Sequence, residues 1–150
     1  AGMLHQLNQW VQQRAIGKYY LTIVEGSLAG EGTIDASLVR NERSNLTKID
    51  DSENAVEAIT HYKVLQCANG YTLVEVELES GRTHQIRAHF QSIGHPLLGD
   101  KKYGGKPYAG IHFQLLHAWK ITLPDGRQFR AAPPHSFRTV LKKLQMALPM

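Results

Sequence analysis

The sequence predicts an α+β fold, a mixed and mainly antiparallel sheet with flanking helices. Three observations carry that expectation. Strand-like segments meet at two hairpin signals, Ala68-Asn69-Gly70 and Pro124-Asp125-Gly126. Segments of helical period stand near the start, in the middle and at the end of the chain. No repeat, low-complexity stretch or linker divides it, so residues 1–150 read as a single domain.

Leu4, Leu7, Trp10, Val11 and Arg14 recur at helical spacing, and Gly17 reads as the stop of that helix. Lys18 to Gly26 is rich in β-branched and aromatic residues and reads as a strand. Thr33 to Leu38 is a second, weaker strand, and the polar run Asn41 to Asp51 reads as a surface loop. Ala55 to Leu65 and Tyr71 to Leu78 read as a strand pair; the second alternates Tyr71, Leu73 and Glu75 against Thr72, Val74 and Val76. Gly81 breaks that strand. Thr83 then caps a helix whose apolar stripe is Ile86, Phe90 and Ile93, ended by Gly94. Leu115 to Leu123 and Gln128 to Ala131 form a late hairpin, stopped by Pro133-Pro134. Ser136 caps a last helix that carries Phe137, Val140, Leu141 and Leu144 on one face.

The formal charge is +4 and the isoelectric point about 9.3, which favours phosphate-bearing partners without naming one. No apolar run approaches membrane-spanning length, and Ala1 to His5 lack the basic and apolar regions of a signal peptide. A lone cysteine, Cys67, excludes an internal disulfide and fits a reducing cytoplasm. It reads as a small core or edge residue at a strand end.

The densest polar arrangement is Gly81-Arg82-Thr83-His84-Gln85-Ile86-Arg87, followed by Gly94-His95-Pro96-Leu97-Leu98-Gly99-Asp100. An arginine at a strand end after a glycine can present its planar fork to a carboxylate or phosphate. Arg87 lies one helical turn beyond Thr83, off the apolar stripe, where a solvated face and a phosphate contact are both open. Lys101, Lys102 and Lys106 with Tyr103 form a loop suited to phosphate contact or to plain exposure. Lys18 and Tyr20 share one strand face and Tyr19 takes the other; a ring beside a cation suits a base and its phosphate. His84 and His89, like His112 and His117, are five residues apart, and zinc-type spacings are absent, so no metal is expected.

Together these residues resemble the RluA-type pseudouridine synthases. The run Gly81 to Arg87 looks like that family's signature, continued through Gly94 to Asp100 and Tyr103-Gly104. Lys18-Tyr19-Tyr20 is similar to its Lys-x-Tyr strand, Leu116-His117-Ala118 to its late strand, and Ala132-Pro133 to its ending. The resemblance implies isomerisation of uridine to pseudouridine in RNA, with no cofactor and no metal. It implies that Arg82 pairs with a nucleophilic aspartate, that Tyr20 packs on the target base and assists proton removal, and that Ile86 lines the pocket. Arg87, Lys18 and Lys102 are expected to contact the substrate. The Lys-Tyr-Tyr-Leu-Thr strand and the tail favour the branch acting on large-subunit (23S) ribosomal RNA over transfer RNA.

One part is absent. The family's aspartate sits in a Leu-Asp motif followed by Thr-Ser-Gly, and no Leu-Asp occurs in this sequence. Asp35, Asp50, Asp51 and Asp125 have no match to it, and Asp100 matches a different position. The expectation is a C-terminal part of a catalytic domain, inactive alone. Its alternatives are a non-catalytic RNA-binding module and a remnant that self-associates through an exposed sheet edge.

Overall fold

The computed structural model describes residues 2–13 and 15–149. Its helices are α1 (Gly2–Gln12), α2 (Gln85–Ser92) and α3 (His135–Lys143). Its strands are β1 (Gly17–Glu25), β2 (Glu31–Asp35), β3 (Leu38–Asn41), β4 (Leu46–Ile49), β5 (Ile59–Ala68), β6 (Tyr71–Leu78), β7 (Leu116–Thr122) and β8 (Gln128–Arg130). A short 3-10 turn covers Lys101–Tyr103. Six strands form one sheet in the order β2-β5-β6-β1-β7-β8, all neighbours antiparallel, and β3 pairs β4 apart from it. The α+β class is the one the sequence predicts.

The central strand β1 is apolar on both faces because both are covered. Leu21 and Ile23 pack with Leu73 and with Phe137, Val140 and Leu141 of α3. Val24 packs with Val74 and Val76 and with Ile86 and Phe90 of α2. Strand alternation thus sends α2 and α3 to opposite faces of the sheet. Tyr20 joins the α2 side and Tyr19 the α3 side, as their parity requires. The β5–β6 hairpin turns at Asn69 and Gly70, whose φ values of 55° and 83° are those of a two-residue turn matched to strand twist.

Several sequence expectations are corrected. The run Asn41 to Asp51 contains β4 and the turn of a hairpin rather than a loop. Its anchor is Thr47, whose N–H donates to the Tyr103 hydroxyl and whose own hydroxyl donates to the Thr83 carbonyl. The second strand ends at Asp35, and the third main-sheet segment begins at Ile59 rather than Ala55. Gly17 does not stop α1, which ends at Gln12; it opens β1 against Thr122, where a Cβ would lie 2.2 Å from the threonine hydroxyl. Arg14 of the predicted stripe lies outside the described residues. None of α1 is buried, so its apolar side, Met3, Leu4 and Val11, is uncovered.

The helix caps also differ. Residue 84, not Thr83, precedes α2, and Pro134, not Ser136, precedes α3; neither makes a side-chain cap bond. Ile93 leaves the α2 stripe and is exposed, because the helix has already ended. Its end is closed by Gly94 N–H to Gln91 O and His95 N–H to Phe90 O, with Gly94 at φ 84°. Of the two readings left open for Cys67, core or edge, the structure shows the second: it is exposed near the end of β5, beyond the reach of β2. Hydrogen bonds from Ser27 and Thr72 draw its thiol pKa down.

The chain from Gly94 to Gly105 then folds back under the sheet. Glu25 N–H donates to Pro96 O and Leu98 N–H to Ile23 O, which ties this loop to β1. Gly105 packs so closely that a Cβ would lie 2.1 Å from the Leu97 carbonyl. Gly105→Ala is therefore expected to destabilise the fold by about 1–3 kcal/mol or more, the cost of overpacking a closed site. Urea denaturation followed by circular dichroism measures it, and an unchanged midpoint would show that the loop can yield.

Candidate functional site

The site is built from the turn that joins β6 to α2. Ser80, Gly81 and Arg82 leave the sheet, and His84 enters the helix in the left-handed region at φ 54°. A non-glycine residue there is held by its surroundings. Its Nδ1 is hydrogen-bonded to the Tyr103 hydroxyl at 2.8 Å, and that hydroxyl accepts from Thr47 N–H at 2.9 Å. The Tyr103 hydroxyl thus serves the Thr47 backbone and the His84 ring at once.

Gln85, which sequence reasoning passed over, fixes Arg82. Its side-chain oxygen accepts from Arg82 N–H at 3.0 Å and from the Ser80 hydroxyl at 2.9 Å. Its amide nitrogen donates to Ile59 O and to Thr60 Oγ1, both at 3.0 Å. The buried amide thus has every group satisfied and clamps the turn to β5. Thr60 Oγ1 continues to Nδ1 of the buried His89, whose Nε2–H donates to Ala36 O. The only sequence signal for this role was a glutamine standing between the arginine and an apolar stripe.

Arg82 itself is exposed and its Nε donates to Glu57 O at 3.0 Å. Among the described residues no carboxylate forms an ion pair with it. It lines an open cleft of about 800 Å³ with Lys18, and the cleft's acids are Glu57, Glu77 and Glu79. Glu77 accepts from the Tyr19 hydroxyl and Glu79 pairs with His61. Arg82 and Lys18 are therefore brought together. Tyr20 and Ile86 belong to one apolar cluster on the α2 side of the sheet. Tyr20 lines a smaller hollow beside the cleft, and Lys18 borders both.

Arg87 goes elsewhere. Its Nε and Nη2 donate to the two oxygens of Asp100 at 2.9 and 2.8 Å, with the carboxylate side chain 1% exposed. The guanidinium carbon lies 4.6 Å from the centre of the Tyr103 ring. The solvated face left open by the spacing is corrected: this is a nearly buried, bidentate pair stacked on a ring. Lys102 is exposed on the 3-10 turn, and its charge acts on His84. Among the described residues no three of His, Cys, Asp and Glu converge as metal ligands, and no helix is long and apolar enough to cross a membrane.

Comparison with known proteins bears on the fold and the family. The fold is that of the human RNA pseudouridylate synthase domain containing 4 protein, which matches 99% of this chain and 70% of its own at a TM-score of 0.82 and 24% identity. A family profile described as RNA pseudouridylate synthase matches residues 1–92. The ribosomal large subunit pseudouridine synthase D of Nitrosomonas europaea is 39% identical over 143 residues, covering 90% of this chain and 39% of its own. The RNA pseudouridine synthase YlyB of Bacillus subtilis is 37% identical over 153 residues, covering 95% of this chain and 49% of its own. The chain belongs to the RNA pseudouridine synthase family, in its RluA-type branch. It spans between 39% and 49% of the length of these two relatives.

The site generates two testable outcomes. Asp100→Ala leaves the Arg87 charge nearly buried and unpaired, and is expected to cost about 3–5 kcal/mol in urea denaturation; a loss below about 1 kcal/mol would mean that the guanidinium finds water. Burial lowers the pKa of His84, helped by the nearby Arg87, Lys102 and Arg40 charges, and burial lowers that of His89. Between the unfolded histidine value of about 6.5 and these lowered folded values, the unfolded chain binds more protons. Stability is therefore expected to fall as pH drops from neutrality through that window. Urea midpoints across this range check it, with a shallower slope in His84→Gln and His89→Gln.

Proposed function

We propose that the protein is an RNA-modifying isomerase that converts uridine to pseudouridine. The reaction breaks the glycosidic C1′–N1 bond, turns the uracil and joins its C5 to C1′; C5 loses a proton and N1 gains one. The balance needs no oxidant, reductant or cofactor. The observation that carries the reading is Arg82, exposed on a clamped turn, with its Nη groups unpartnered among the described residues at the mouth of a cleft. Such a fork can hold a nucleophilic carboxylate ionised and oriented. Tyr20, in the hollow beside the cleft, offers its ring to the base with Ile86 in the buried cluster it packs against, and Lys18 and Lys102 meet phosphates. Arg87 acts from behind, by holding the loop at Asp100, in place of the phosphate contact expected from its spacing. A base inside paired or stacked RNA must be flipped out to reach such a cleft.

The nucleophile is supplied by a segment outside these 150 residues. Among the described residues no aspartate lines the cleft, and of its three glutamates Glu77 and Glu79 already serve Tyr19 and His61. The 150 residues are therefore inactive alone. Large-subunit ribosomal RNA in the cytoplasm is the favoured substrate, in keeping with the name of the Nitrosomonas relative, a ribosomal large subunit pseudouridine synthase. The test is to incubate uridine-containing ribosomal RNA with the chain and resolve the digested nucleosides by chromatography. No pseudouridine is expected from these residues alone. Joined to an upstream Leu-Asp segment of a relative, they are expected to give product, reduced about 10²–10³-fold by Arg82→Ala, as for loss of a charge-stabilising donor. Product from the chain alone would overturn the assignment of the nucleophile.

A further inference from the structure

The positive charge of the chain is unevenly placed. Residues 126–150 hold five of the seventeen lysines and arginines and none of the thirteen acids, so residues 1–125 carry twelve cations against thirteen acids. The cleft does not hold the surplus, since Lys18 and Arg82 face Glu57, Glu77 and Glu79 there. The surplus gathers on α3. Phe137, Val140 and Leu141 bury one side of that helix, and Arg138, Lys142 and Lys143 are exposed. Arg138 and Lys142 share a face one turn apart, about 6 Å along the axis. Among the described residues, none of the three pairs with a carboxylate. Arg130 adds a fourth cation on the same side of the sheet. Its guanidinium lies 5.3 Å from the centre of the Trp119 ring, and Trp119 belongs to the cluster beneath α3. The helix is held in place from its far end. The Asn69 side chain donates to Leu144 O at 3.0 Å, and the Gln66 side chain exchanges two bonds with the Ala147 backbone at 2.7 and 2.8 Å.

We propose that the exposed face of α3 is a second RNA-contact surface, which holds the phosphate backbone of the substrate away from the target uridine. The proposal rests on the reading of the protein as an RNA-modifying isomerase, and none of these cations lines the cleft. Two observations favour a phosphate backbone over a protein as the occupant. No large apolar side chain of α3 is exposed, whereas the middle of a protein interface is apolar and poor in lysine. The groups that α3 does expose, cations around the partly exposed hydroxyl of Thr139, are those that meet phosphate oxygens without reading sequence. A face of one sign also draws a polyanion from a distance. Affinity and selection are thereby divided: α3 supplies the attraction, and the acid-rich cleft admits only the nucleotide it fits.

The test is fluorescence anisotropy of two labelled single-stranded RNAs, each with one uridine: a short one that fills the cleft alone and a long one that also reaches α3. Both are titrated with the chain at several salt concentrations. The variant combines Arg138→Gln, Lys142→Gln and Lys143→Gln, all exposed, and is expected to keep the far-ultraviolet circular dichroism of the parent. On the long RNA its salt slope is expected to be shallower by about two, for three contacts at about 0.7 each, and its binding at about 0.1 M salt about 10²-fold weaker. The short RNA is expected to bind parent and variant alike. Exchanging the cations instead, as Arg138→Lys, Lys142→Arg and Lys143→Arg, is expected to retain the parental slope on the long RNA. Parental affinity and slope of the glutamine variant on the long RNA would overturn the surface and leave the functional reading to the product assay. Equal losses on both RNAs would reduce the effect to net charge and overturn the surface too. Absence of binding of either RNA by the parent at low salt would overturn the functional reading with it. A dimer in sedimentation that the glutamine variant dissociates, with long-RNA affinity unchanged, would assign the face to a second copy of the chain and overturn the surface.

Discussion

The arrangement depends on the ion pair between Arg87 and Asp100 over the ring of Tyr103. Asp100 belongs to the loop after α2 and Arg87 to the helix itself, so the pair fixes how the helix sits on that loop. Tyr103 then passes the constraint outward through its hydroxyl, to the Thr47 backbone on one side and to His84 on the other. Three separate segments, the β3–β4 hairpin, the turn before α2 and the 3-10 turn, are thereby locked to one buried phenol. A buried charge pair stabilises little on balance against apolar residues of equal volume, but it tolerates few alternative geometries. Here that intolerance sets the place from which Arg82 is presented.

Between the pair and Arg82 stands Gln85. It is the first residue of α2, and its amide is a partner of both the turn and β5. A helix packed through Ile86 and Phe90 onto the sheet would still leave the preceding turn free to swing. The glutamine removes that freedom with four hydrogen bonds, all buried or half-buried. On the proposed reading, in which Arg82 meets a carboxylate, such preorganisation leaves little loop entropy to lose at the encounter.

Much of the architecture was legible in the sequence because local chemistry agreed with the fold. Asn69-Gly70 dictates a tight hairpin, alternation in Tyr71 to Leu78 divides the two faces correctly, and Gly94 closes α2 as glycine does. The β3–β4 hairpin was hidden because Arg40, Asn41 and Lys48 give it a polar surface with no alternation. Its anchor, Thr47, is defined by Tyr103 and Thr83, 56 and 36 residues away. The run Gly81 to Arg87 singled out Arg82 and Arg87 together, yet the structure places the two arginines in opposite settings. One is exposed at a cleft and the other is spent on Asp100, a pairing across 13 residues that no spacing rule reveals. The caps failed for the same reason: His84 and Tyr103 set the entry to α2 through tertiary contact, overriding the local preference of Thr83.

The two faces of the sheet carry separate apolar clusters, one under α3 and one under α2, and the loop after α2 contributes Leu98 to the first and Leu97 to the second. This divides the sequence into two sets of residues with different freedom to drift. Substitutions among Phe137, Val140, Leu141 and Leu144 retune the α3 side without a direct path to the arginine turn, while those at Ile86 or Phe90 move the platform on which it stands. For an engineer, the α3 side is the place to add robustness, and the α2 side the place to alter what the cleft accepts.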